Sequence, residues 1–210
     1  MLSEALYRAG VWKAGDIRAK GGIPSGFPLL DGALPWKGWP QAALTEILSA
    51  EQGLGALRLV LPSMAELSHK AQWLIWVCPP HIPYVPSLQA YDIDLQRLLI
   101  IEPDDEKSAD SEYKLWVFEQ ALRFQQCGLA VAWLDEVQMP SLRKLQLACE
   151  AGRTAGIIFR AQEFAHQASP ALLRVEITAA DKQKDQQDAV KLNILKARGL
   201  TKERHLELSL

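Results

Sequence analysis

The stretch LTEILSAEQGLGALRLVL (residues 44–61) decides how the rest of the chain is read. A short apolar segment leads through a small-residue loop with Gly53 and Gly55 into an apolar helix, which is the layout of a phosphate-binding loop. In such a loop backbone N–H groups wrap the phosphates, a lysine neutralises the terminal ones and a hydroxyl holds magnesium. Here Ser49 replaces the first glycine, and the lysine and hydroxyl positions fall on Gly55 and Ala56, or on Ala56 and Leu57 if the register moves by one. Neither register supplies the charge or the metal-binding oxygen. A backbone nest alone has little with which to stabilise a transferring phosphoryl group, so no ATPase activity, bound nucleotide or cofactor is expected.

Outward from this loop, apolar runs of strand length alternate with helical patterns. WLIWVC (73–78), RLLIIE (97–102), LAVAWL (129–134) and AGIIF (155–159) read as strands covered on both faces. Between them, Ala56–Lys70 (interrupted by Pro62), Ser111–Gln126 (with Gly128 as its cap) and Ser141–Ala151 (ended by Gly152) read as helices. The alternation predicts a mostly parallel sheet with right-handed crossovers. LRVEIT (173–178), VKLNI (190–194) and HLELSL (205–210) alternate apolar and polar residues, the pattern of a half-exposed antiparallel meander. The Gly/Pro-dense segment 21–40 and PPHIPYVP (79–86) are expected to be irregular, apart from one helical turn near Leu29–Leu34. A single domain over 1–210 follows, with a helical arm at 1–20, an α/β core at 21–170 and the meander at 171–210.

The chain has 210 residues, 49% of them hydrophobic, enough for one sizeable core, and a net charge of −2 that advertises no nucleic acid. Cys78, Cys127 and Cys149 are far apart and sit in or beside apolar runs, which argues against a disulfide framework and for a reducing cytoplasm. No run approaches the length of a membrane span. His69, His81, His166 and His205 lack metal-ligand spacing, so no metal site is expected. Asp135 follows its strand where a magnesium-organising carboxylate could stand, and equally where a solvated one ends a strand.

Two groups of residues are candidate contacts. Lys191, Lys196, Arg198, Lys202 and Arg204 crowd the last strands and their turn, and can form a phosphate- or partner-binding patch or an ordinary solvated face. Trp36 and Trp39 in the Gly/Pro segment, with His81 and Tyr84 on a loop at the rim of the sheet, are candidate anchors for a partner protein.

Several segments carry a family resemblance. A Gly before a Leu-Asp pair (Gly26, Leu30, Asp31), then Gly38-Trp39-Pro40 and Glu46 closing the first strand, resembles the corresponding segment of RecA-type recombinases. GWPQAALTEILSAEQGLGALRLVLP, WLIWVCPPHIPYVPSL, IDLQRLLIIEP and WVFEQALRFQQCGLAVAWL together resemble the ImuA family, RecA-like accessory proteins of bacterial SOS mutagenesis. That resemblance implies a RecA-like fold and a non-catalytic adaptor in translesion DNA synthesis. Its implied partners are an ImuB-like inactive relative of Y-family polymerases, an error-prone DNA polymerase and RecA. SulA, which blocks division by binding the tubulin-like FtsZ, is the related alternative, and a divergent ATPase is the enzymatic one.

Overall fold

The computed structural model describes residues 21–50, 54–103, 110–179, 189–200 and 204–210. The expected N-terminal helix, Gly53, most of the acidic run after Pro103, the polar hairpin tip after Ala179 and Lys202 lie outside the described residues.

A single mixed sheet organises these residues, in the order β3-β2-β4-β5-β1-β6-β7-β8. Its strands are β1 (Leu44–Ser49), β2 (Trp73–Val77), β3 (Leu98–Ile101), β4 (Cys127–Trp133), β5 (Ala155–Ala161), β6 (Leu173–Ala179), β7 (Ala189–Ala197) and β8 (Arg204–Ser209). The first six run parallel, and β7 turns antiparallel between β6 and β8. β1 holds the centre, with Leu44, Ile47 and Leu48 fully buried. Each such side chain contributes about 1.5–3 kcal/mol by leaving water.

Among the described residues, six α-helices and two 3₁₀ turns cover the faces. On one face lie α1 (Pro28–Ala33), α2 (Leu54–Arg58), α3 (Leu61–His69) and α4 (Val85–Ala90), sharing a core with Ile47, Trp76, Val131, Val175 and Ile194. On the other, α5 (Ser111–Arg123) and α6 (Met139–Gly152) pack on Leu44, Ile75, Ala130 and Ile158. Pro62 does not kink one long helix. It stands in the first turn of α3, where its missing N–H costs nothing, and α2 is a separate short piece.

Several sequence expectations are corrected. Val85 and Pro86 open α4, so PPHIPYVP is irregular only up to Tyr84, because a proline at the start of a helix is favourable. Gly128 caps nothing: α5 ends at Arg123, the chain turns back through a Cys127 N–H to Phe124 carbonyl bond of 2.8 Å, and Gly128 is the second residue of β4. Gly152 is the last residue of α6, and Arg153, with φ 59°, makes the left-handed cap. A Cβ on Gly152 would lie 2.0 Å from the Leu122 carbonyl oxygen, so that glycine is required by the close approach of α5 to α6.

RLLIIE is not buried on both faces. β3 is an edge strand, with Leu99 45% and Ile100 37% exposed. The polar face of β6 is also less open than its alternation predicts: Arg174 is buried, because residues 162–170 fold across it.

Candidate functional site

After β1 the next described element is α2, which begins at Leu54. Ala56 is buried, whereas nothing lies within 4 Å of a Cβ built on Gly55. The first carbon of a side chain at Gly55 would therefore meet no neighbour among the described residues. Asp135 is tied into the scaffold: one carboxylate oxygen accepts the Ala161 N–H at 3.0 Å, and its carbonyl accepts Arg160 Nε and a second guanidinium N–H at 3.0 and 2.9 Å. This joins the ends of β4 and β5. No cluster of three or more metal-ligating side chains occurs among the described residues.

Beside the phosphate-type loop, the centre of β1 carries a charge network that the sequence reading missed. Glu46 is fully buried and receives Arg160 at 3.3 Å and Arg174 at 3.1 Å on the same carboxylate oxygen, while Ser169 Oγ donates to the other. Two guanidinium groups for one carboxylate leave a surplus positive charge inside the fold. Main-chain oxygens absorb it: Arg174 donates to the carbonyls of Phe164, Ala165 and Gln167 at 2.8–3.0 Å, and Arg160 donates to Asp135. The Arg160 guanidinium also lies 4.6 Å over the Phe164 ring. The network thus straps the 3₁₀ turn Gln162–His166 across β1, β5 and β6. Its signal in the sequence is the one arginine inside the otherwise apolar strand AGIIFRA; in LRVEITA, Arg174 is one of several alternating polar residues.

A groove of about 470 Å³ lies at the C-terminal ends of β2 and β4, between α2, α3 and α4. Its floor is Trp76 and Trp133, edge to face at 5.8 Å, and its rim carries His81, Ile82 and Tyr84. The structure brings His81 and Tyr84 together here, with Tyr84 71% and Ile82 86% exposed. Across the groove Arg58 Nε donates to the Tyr91 hydroxyl at 3.1 Å and so holds α2 to α4.

The other tryptophan expectation fails. Trp36 and Trp39 are 7% and 1% exposed: the Gly/Pro segment folds back so that Ile23 and Trp39 exchange backbone hydrogen bonds of 2.7 and 2.8 Å, and both rings enter the core. Neither can be a surface anchor as placed, whereas Trp116 on α5 is 59% exposed.

The basic residues are likewise not one patch. Lys191 and Lys196 lie on the face of Arg174 and Thr178, interleaved with Glu176 and Glu207. Arg204 sits on the opposite face, opposite Ile194, and donates to the Ala33 carbonyl at 3.0 Å. Arg198 follows β7, its backbone N–H bonded to the Leu172 carbonyl at 3.2 Å. Lys196 donates to the Ser169 carbonyl at 2.7 Å; partial burial lowers its pKa, and Arg174 and Arg198 push the same way against Glu46. A strand directs successive side chains to opposite faces, so nearness in sequence does not become one surface.

No family model matches the chain. Over 119 residues it is 26% identical to the cell division inhibitor SulA of Edwardsiella piscicida, an alignment covering 54% of this chain and 68% of that protein. The crystal structure of SulA from Pseudomonas aeruginosa superposes with a TM-score of 0.45 at 25% identity, covering 56% of this chain and 97% of the other. The sequence similarity corrects the functional expectation. The similarity found is to a cell division inhibitor, and neither an ImuB-like protein, a polymerase nor RecA is supported as partner. Among the described residues no helix is long and apolar enough to cross a membrane.

Proposed function

We propose that this chain is a SulA-type inhibitor of cell division, made in the SOS response and acting by binding FtsZ. The observation that carries the reading is the 119-residue similarity to the cell division inhibitor SulA. The proposed mode of action is occupation of a surface and requires no chemistry. Gly55 and Ala56 stand where the lysine and hydroxyl of a working phosphate loop would be, so nucleotide turnover has no side chains to run on. A parallel core entered through that loop and finished by the β6–β8 meander supports a RecA-type ancestry for the scaffold.

The groove over Trp76 and Trp133 is the contact surface assigned to this function, because it combines an aromatic floor with exposed apolar rim residues. The test is expression in a rod-shaped bacterium, together with FtsZ polymerisation and GTPase assays using purified protein. The expected result is filamentous cells and suppressed FtsZ assembly, both weakened about tenfold or more by Tyr84→Ala combined with Ile82→Ala. Normal division together with undisturbed FtsZ assembly would refute the reading. Inhibition indifferent to the two substitutions would move the contact away from the groove.

A further inference from the structure

The groove over Trp76 and Trp133 is apolar, and among the described residues its one permanent charge is already engaged: Arg58 donates to the Tyr91 hydroxyl and to the Leu210 carbonyl. Trp76 is 1% exposed, yet its Nε1–H meets no acceptor among the described residues. Such a surface selects an occupant by apolar side chains and an oxygen acceptor, and not by charge. The chain itself contains one segment of that composition. Of the residues outside the described ones, 51–53, 104–109, 180–188 and 201–203 carry no apolar side chain larger than alanine. Residues 1–20 differ: Leu2, Ala5, Leu6, Ala9 and Trp12 recur at intervals of three and four, the spacing of one side of a helix. Their attachment point lies on the groove's side of the sheet. Ile23 shares a core with Leu57, Leu61 and Trp76, and the Pro24 carbonyl accepts Ser63 Oγ at 2.7 Å, in the same first turns of α3 that supply Leu61 to the groove. A helix of this length spans about 30 Å, the diameter of a small domain, so reach is not limiting.

We propose that residues 1–20 seat their apolar side chains, Leu6 and Trp12 foremost, in the groove of their own chain and occupy it until a partner displaces them. The mode is that of an amphipathic segment laid into an apolar groove, here tethered to the surface it covers. Tethering replaces concentration. A short linker holds a segment at an effective concentration of roughly 1 mM, so a contact with an intrinsic Kd of about 0.1 mM leaves the groove open only about one-tenth of the time. A partner that needs the open groove then binds about tenfold more weakly than to a chain whose segment cannot seat. This masking rests on the reading of the groove as the FtsZ contact; the seating of the segment does not.

Photocrosslinking of the full chain tests the seating without FtsZ. With p-benzoylphenylalanine in place of Leu6 or of Trp12, irradiation at about 1 µM should join the segment to residues 79–91 of the same chain, a yield independent of protein concentration because the contact is intramolecular. Ile82→Asp combined with Tyr84→Asp should lower that yield about tenfold by placing charge on the apolar rim, and both positions are exposed, so the fold is kept. Crosslinks that map to another part of the chain, that form only between chains, or that ignore the rim substitutions would overturn the proposal. The masking is read separately. Leu6→Asp combined with Trp12→Asp, in the otherwise natural chain, should tighten FtsZ binding about tenfold. An intrachain groove crosslink beside unchanged FtsZ affinity would uphold the seating and refute the groove as the FtsZ contact.

Discussion

Glu46 shows how much one side chain can organise. Its carboxylate sits between Arg160 and Arg174, all three out of solvent, and the pairing holds residues 162–170 against the sheet. Glu46→Gln keeps the shape and removes the charge, leaving two buried guanidinium groups with main-chain oxygens alone. Breaking a buried ion pair from one side costs about 3–5 kcal/mol, so urea denaturation should show a loss of that size. A loss below about 1 kcal/mol would mean that the carbonyl acceptors suffice. Cys127 gives a second prediction at this scale. Burial pushes its thiol from 9.0 up to about 12, so the unfolded chain releases that proton first. Stability from this group is complete below pH 9 and is lost as pH rises towards 12. Thermal melts between these limits should fall less steeply for Cys127→Ala than for wild type; equal slopes would remove the thiol as a cause.

Among the elements, the closest approach is at Gly152, where α6 meets the end of α5. Gly152→Ala would force a methyl group against the Leu122 carbonyl, a contact of 2.0 Å before relaxation. Overpacking of this kind costs about 1–3 kcal/mol. The expected outcome is a lower denaturation midpoint with the secondary structure intact, and an unchanged midpoint would show that the two helices slide apart freely. In the sequence Gly152 is visible only as a helix terminator, since its tertiary neighbour is thirty residues away. The parallel strands and the switch to a meander were legible because burial on two faces or one leaves a different apolar period in each. Exposure at β3 was not legible: RLLIIE has the composition of a central strand, and only the strand order makes it an edge. Trp36 and Trp39 misled for the converse reason, because turn-rich composition describes the backbone path and not where it folds back. The basic cluster dissolved when strand alternation sent Arg204 to one face and Lys191 to the other.

For the whole molecule, the site was less legible than the scaffold. The phosphate-type loop drew attention because it matches a motif, while the groove beside it is assembled from β2, α2, α3, α4 and β4, and no short segment announces it. The position of β1 has a further consequence during synthesis. It is made before any other strand of the sheet, yet its partners β5 and β6 begin about 110–130 residues later in the chain. On a ribosome adding about 5–20 residues per second, this apolar strand waits roughly 5–25 seconds without a neighbour. A lone run of that composition is an aggregation hazard, and a charge within it is the usual safeguard. Glu46 lies in the middle of that run, so the residue that locks the finished fold also guards the nascent chain, and its replacement should lower soluble yield by more than the loss of folded-state stability accounts for.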